Sequence, residues 1–242
     1  YVRTVTDPVR TGGVMRNEVT DRDEWSTELR LESDRAARFR YMVGAYYYES
    51  RRSLEERHFA IAPTVFSGET RVDNVALFGS IGFDFTDRWE ATAALRYAED
   101  TVGNYNAIAR PTGPLIENTF DSVSPRVTTT FKFTPENMIY ANVAKGNKPG
   151  VINPDPRFPP EVRFADEEES WNYEVGTKNR LFDGRVMANL ALYYIDWKDQ
   201  QITTAFTFPT GGTQSYIRNA GATEIKGAEL ELEAAVTDSF TA

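Results

Sequence analysis

Apolar and polar residues alternate with a period of two along most of this chain. Trp171, Tyr173, Val175 and Thr177 alternate with Asn172, Glu174, Gly176 and Lys178. Ala228, Leu230, Leu232, Ala234 and Val236 alternate with Glu229, Glu231 and Glu233. Val123, Val127, Thr129, Phe131 and Phe133 alternate with Ser124, Arg126, Thr128, Thr130 and Lys132. Val75, Leu77, Ile81, Phe83 and Phe85 share one face, and so do Trp89, Ala91, Ala93, Leu95 and Tyr97. Successive side chains of a strand point to opposite faces, so each segment predicts a β-strand with one apolar and one polar side. No segment carries a helical stripe.

The connections alternate in kind. Short polar turns fall at Asp34 to Arg38, Thr86 to Arg88, Thr134 to Asn137, Phe182 to Gly184 and Thr237 to Ser239. Between them, Arg51 to Arg71, Asp100 to Asp121, Asn147 to Asp166 and Phe206 to Thr213 are rich in Gly, Pro, Asn and charge, and read as loops. The pattern predicts about nine strands, most of about 10 residues or more, against about 5–6 in soluble sheets and about 9–11 for a strand that crosses a bilayer. Unequal connections on long strands are the asymmetry of an outer-membrane barrel. Aromatics near strand ends, Trp89, Trp171, Tyr193, Tyr194 and Trp197, suit interfacial girdles. The fold class expected is therefore all-β: an antiparallel transmembrane β-barrel segment, open rather than closed. Val75, Leu77, Phe83, Leu95, Val127, Phe131, Leu190, Leu192, Leu230 and Leu232 should lie on its exposed lipid-facing side. The same alternation fits a soluble sandwich or propeller, in which those residues face a core.

Composition narrows the function. The 242 residues include no Cys and one His, His58, which reads as a loop residue. This leaves no thiolate site, no two-histidine zinc motif and no defensible Ser-His-Asp set, so no enzyme and no cofactor is read. A net charge of −9 without a basic stripe argues against a nucleic-acid partner. No apolar run reaches the ~18 residues of a transmembrane helix, which leaves strands as the way across a bilayer. The chain starts at Tyr1 with no signal segment and stops at Ala242 after a turn, so the expectation is a fragment, residues 1–242 forming one piece of a larger barrel.

Several motifs sharpen this. Ile139-Tyr140-Ala141-Asn142-Val143-Ala144-Lys145-Gly146-Asn147-Lys148-Pro149-Gly150 resembles a strand and loop start of the TonB-dependent receptor family. Ser124-Pro125-Arg126-Val127 with Thr134-Pro135-Glu136-Asn137 is similar to that family's preceding hairpin. Glu169 to Lys178, Phe182-Asp183-Gly184-Arg185, Asn189 to Trp197, and Arg218-Asn219-Ala220-Gly221 with Ile225 to Leu232 follow in the family's order. The resemblance implies a 22-stranded barrel with a plug domain in the complete receptor. It also implies location in the Gram-negative outer membrane, with lipid and lipopolysaccharide as surroundings. The implied function is uptake of a ferric siderophore, energised by the TonB-ExbB-ExbD complex. Neither a plug nor a TonB-contact motif is seen in the chain. The alternative of another class is a soluble all-β glycan-binding module.

Within that resemblance, Lys145, Lys148, Arg157 and Arg163, with Arg110, are candidates to attract an anionic iron chelate at the loop mouth. The plain alternative is solvated loop bases or partners for lipopolysaccharide phosphate. Tyr105, Phe158, Phe206 and Tyr216 are candidates to stack on a ligand, or else pack the loops. Glu229, Glu231 and Glu233 line a hydrated lumen or meet plug arginines. The acidic run Asp166 to Glu169 offers oxygens to a hard cation but lacks the Gly and Asn of a formed loop, so it reads as solvated and no metal is assigned.

Overall fold

A computed structural model describes residues 2–11, 14–59, 64–107, 115–237 and 240–241, with side chains over 17–57, 68–105 and 115–235. The strands in chain order are β1 (Val2–Thr11), β2 (Val14–Glu32), β3 (Phe39–Phe59), β4 (Thr64–Thr86), β5 (Trp89–Ala107), β6 (Ile116–Thr134), β7 (Asn137–Lys148), β8 (Val151–Ile152), β9 (Phe164–Ala165), β10 (Glu168–Leu181), β11 (Val186–Lys198), β12 (Gln201–Thr207), β13 (Thr213–Asn219), β14 (Ala222–Thr237) and β15 (Phe240–Thr241). Eleven form one sheet in the order β1-β2-β3-β4-β5-β6-β7-β10-β11-β14-β15. Every pairing is antiparallel. Nine of these strands run 12 to 23 residues. The expected all-β fold of about nine long strands, not closed on itself, is what the structure shows.

Register decides which side chains share a face, because direct partners across an antiparallel ladder point the same way. Leu31 lies opposite Val43, Val43 opposite Gly79, and Gly79 opposite Leu95. Val127 lies opposite Val143, Val143 opposite Tyr173, and Tyr173 opposite Tyr194. Leu190 lies opposite both Thr177 and Leu230. One apolar face therefore runs without a break from β2 to β14. It is uncovered: the residues expected on it are exposed, from 37% for Phe83 to 66% for Leu230. A soluble sandwich would bury these positions under a second sheet, and none lies over them among the described residues.

Three of the short turns are built by one device. Asp34 Oδ1 accepts the Ala36 amide at 2.9 Å. Thr86 Oγ1 accepts the amides of Arg88 and Trp89 at 3.2 and 3.1 Å, and Thr134 Oγ1 accepts that of Glu136 at 3.2 Å. Short side-chain oxygens satisfy turn amides that have no ladder partner. At Phe182, Asp183 and Gly184 the φ angles are 56°, 55° and 81°, a left-handed run that the Gly tolerates freely.

Three sequence expectations are corrected. Much of Arg51–Arg71 and Asp100–Asp121 is ladder, not loop: β3 and β4 pair out to His58 and Thr64, and β5 and β6 out to Asn104 and Ile116. His58 accordingly sits in strand backbone. Trp89, Trp171 and Tyr194 are on the apolar face, but Tyr193 and Trp197 take the opposite parity and belong to the polar one. The turn at Thr237 to Ser239 lies partly outside the described residues.

The polar face is lined by small residues and flattened rings. Phe78, Tyr140 and Tyr193 are the ladder partners of Gly44, Gly176 and Gly227. A Cβ on those glycines would come within 2.5, 2.6 and 2.4 Å of the rings. Each ring thus lies over bare backbone. Lys178 Nζ stands 5.9 Å from the Tyr140 ring centre and Arg96 Cζ 5.4 Å from that of Tyr46.

Candidate functional site

The best-packed part of the described chain is where two long connections meet beyond the strand ends. The segment 149–167, between β7 and β10, carries β8, β9 and a 3-10 turn, Pro160–Val162. The connection from β11 to β14 carries the β12–β13 hairpin. Phe158 is 2% exposed and Phe208 8%. The Phe158 ring centre lies 5.6 Å from Phe206, 5.7 Å from Phe208 and 5.8 Å from Tyr216. Mixed edge and offset contacts of this kind suit the ring quadrupoles.

Two asparagines tie the segments. Asn153, 4% exposed, donates from Nδ2 to the Val162 and Ile217 carbonyls at 2.8 and 2.7 Å. Its Oδ1 accepts the Ile217 amide at 2.8 Å. Asn219 donates to the Asp166 and Asp199 carbonyls at 2.9 and 2.7 Å and accepts the Asp166 amide at 2.6 Å. Gln201 Nε2 adds bonds to the Pro149 and Asp166 carbonyls at 2.8 and 3.0 Å. These side chains satisfy loop backbone that burial would otherwise leave unpaired.

Glu168, at the first residue of β10, is 4% exposed. It accepts Lys148 Nζ at 2.8 Å, the Gln201 amide at 2.8 Å and Trp197 Nε1 at 2.9 Å. The segment also folds against the sheet: a Cβ on Gly150 would fall 2.1 Å from the Phe120 ring.

The sequence candidates divide accordingly. Arg157, Phe158, Arg163 and Tyr216 come together in this knot, joined by Phe206. The Arg157 guanidinium grips Asp155, Nη2 to Oδ2 at 2.6 Å and Nε to Oδ1 at 3.0 Å, and lies 4.6 Å from the Phe208 ring centre. Its hydrogen bonds hold the Asp155 carboxyl below the usual carboxylate range, against the opposing effect of burial. Arg163 donates to the Phe158 carbonyl at 3.3 Å. Lys145 stands apart on the apolar-face parity, opposite Trp171 and 2.6 Å from Glu169. Tyr105 has the parity of Leu95 and Tyr97 on β5, the apolar-face side. Arg110 lies outside the described residues. The acidic run is split, with Glu168 and Glu169 in ion pairs and burial raising the Glu167 carboxyl pKa. No group of three metal-binding side chains assembles among the described residues.

Asn153, Gln201 and Glu168 carry the geometry, and no sequence signal marked the first two. Asn219 lay inside a motif already noted. The knot holds no nucleophile beside a base. What it provides is a stiff, folded pair of loops standing at one rim of a long-stranded sheet with one apolar and one polar face.

Comparison with known proteins agrees with this architecture. Residues 1–241 match the family model described as TonB dependent receptor-like, beta-barrel. The pesticin receptor of Yersinia enterocolitica is 27% identical over 210 residues, which cover 84% of this chain and 30% of that receptor. The metal-pseudopaline receptor CntO of Pseudomonas aeruginosa is 27% identical over 174 residues, 70% of this chain and 23% of that one. The crystal structure of the ferric yersiniabactin uptake receptor FyuA from Yersinia pestis superposes with a TM-score of 0.79 at 22% identity, over 97% of this chain and 36% of that one. The chain spans about a third or less of the length of each of these proteins.

Proposed function

Because the chain belongs to the TonB-dependent receptor β-barrel family, we propose that it supplies part of the wall of an outer-membrane receptor for a chelated metal, with a ferric siderophore as cargo. The TonB-ExbB-ExbD complex would drive the uptake. The single observation that carries this reading is the unbroken, uncovered apolar face from β2 to β14. In water such a face is a liability; against hydrocarbon it is what a barrel wall needs.

The dimensions support it. From Val75 to Phe85 the apolar side of β4 spans ten residue steps, roughly 33 Å along the strand and roughly 25 Å of height at a tilt of roughly 40°. That is the height of the apolar band of an outer-membrane barrel. Ring pairs mark both limits, Phe85 with Trp89 at 4.4 Å and Trp25 with Tyr47 at 5.4 Å. Outer-membrane lipid and lipopolysaccharide are the partners of this face. The polar face, with Arg96, Arg126, Glu229 and Glu231, lines a watery interior. The cargo assignment draws on two similar proteins named as receptors of a ferric or metal chelate.

The test uses the full-length receptor that contains this chain. Expressed in a strain lacking its own siderophore receptors, it should restore growth on a ferric siderophore as sole iron source. Deleting TonB should abolish that growth. Growth that persists without TonB, or a receptor recovered in the soluble fraction, would overturn the reading.

A further inference from the structure

We propose that Arg22 and Arg52 form an anion-binding subsite on the polar face, taking the carboxylate or phosphate oxygens of the receptor's cargo. The proposal rests on the receptor reading, which opens this face to the outer solvent. Arg22 and Arg52 are direct ladder partners across β2 and β3. Arg52 is the partner of Thr70 across β3 and β4, and Thr70 that of Asn104 across β4 and β5. One row across four strands thus presents two guanidiniums, a hydroxyl and a carboxamide on the same face. Asn104 Nδ2 donates to Thr70 Oγ1 at 3.5 Å, which leaves the threonine proton free to donate elsewhere.

A cleft of about 520 Å³ opens over this row, lined by Thr20, Arg22, Ser50, Arg52 and Thr70 among others. One carboxylate, Glu18, is also in its lining. Ser50 is buried. Arg22 is paired with Glu24 at 2.7 Å, but that carboxylate also accepts the Tyr48 hydroxyl at 2.5 Å. Arg52 has no ion pair among the described residues. Two like charges directly opposite on a ladder cost stability. An oxyanion between them reverses that cost, and a guanidinium fork matches a carboxylate or phosphate in two parallel bonds. Of the other candidate cations, Lys145, Lys148 and Arg157 are held by carboxylates of the chain, and Arg163 donates to the Phe158 carbonyl.

The test is titration calorimetry on the full-length receptor in detergent, with citrate and pyrophosphate as separate probes. Neither TonB nor an energised membrane is needed, so failure here is distinct from failure of the uptake reading. The wild type should bind at least one probe, and the stronger of the two says whether the site suits carboxylate or phosphate. Arg52→Gln should weaken binding at least tenfold, and Arg52→Lys should weaken it less. Arg22→Gln serves as a second variant with the same expected loss. Arg88→Gln, at a short turn on the opposite rim, should bind as the wild type does. Unchanged heat-modifiable migration checks that each variant is folded. No binding of either anion by the wild type, wild-type affinity in the folded Arg52→Gln and Arg22→Gln receptors, or an equal loss in Arg88→Gln would overturn the proposal.

Discussion

Asn153 and Ile217, 64 residues apart, are bonded like neighbours on a β-ladder: the Asn153 amide donates to the Ile217 carbonyl at 2.7 Å and accepts its amide at 2.8 Å. One side chain replaces a strand and docks the 149–167 segment on β13. Replacing Asn153 by Ala leaves both groups of Ile217 without this partner in a half-buried site, at up to about 1–3 kcal/mol for each. Asn153→Ala is therefore expected to loosen 149–167 and the β12–β13 hairpin together. Limited proteolysis of the folded receptor, with cut sites mapped by mass, checks this. Cleavage in only one of the two segments would show that they are not one unit.

Leu192 lies mid-height on the apolar face, between its partners Val175 and Ala228. Leu192→Arg should cost about 2–4 kcal/mol of folding free energy in lipid, the range for an arginine near the bilayer midplane. Glu231→Arg, on the polar face, should cost less than about 1 kcal/mol. Urea titration of the receptor refolded into vesicles measures both. Equal costs would mean that the two faces do not meet different solvents.

Gly227 carries the Tyr193 ring flat on its backbone, with no room for a Cβ. Gly227→Ala should destabilise by about 1–3 kcal/mol through overpacking. In the Tyr193→Ala background the same change should be nearly neutral. A double-mutant cycle reads the coupling, and strict additivity of the two losses would refute the contact.

Asp155 has a folded-state pKa below its ordinary value because Arg157 hydrogen-bonds its charged form. A lowered carboxyl contributes stability that is fully present above its unfolded pKa, ~3.9, and is lost as pH falls through the folded value. The stability that the Asp155–Arg157 pair gives the loop knot should be unchanged from pH 7 to 5 and be lost only below about pH 4. Fluorine NMR of labelled phenylalanines in the knot would follow it, with Asp155→Asn removing the acid-linked change. Loosening already between pH 7 and 5 that Asp155→Asn removes is the outcome that contradicts this.

The chain's own pattern determined which residues face which way through the apolar band. Side-chain alternation is a local property of strand backbone, and one apolar side in every two residues marks it wherever water lies on one side only. That is why Val127, Leu192 and Leu230 were legible without coordinates. Beyond the band the signal disappears. Apart from the single Leu54, Arg51 to Arg57 and Glu69 to Arg71 are polar on both faces, so nothing alternates, although backbone hydrogen bonds carry the ladder onward. Only the tertiary structure decided how far those strands reach, whereas the inward turn of Tyr193 and Trp197 follows from the alternation itself, because Leu190, Leu192 and Tyr194 share the other parity of the same strand. The tertiary structure alone brought Phe158 to Phe208 and Tyr216, and Asn153 to Ile217. Contacts between segments tens of residues apart depend on how two loops fold over a shared rim, and no period in the sequence encodes that.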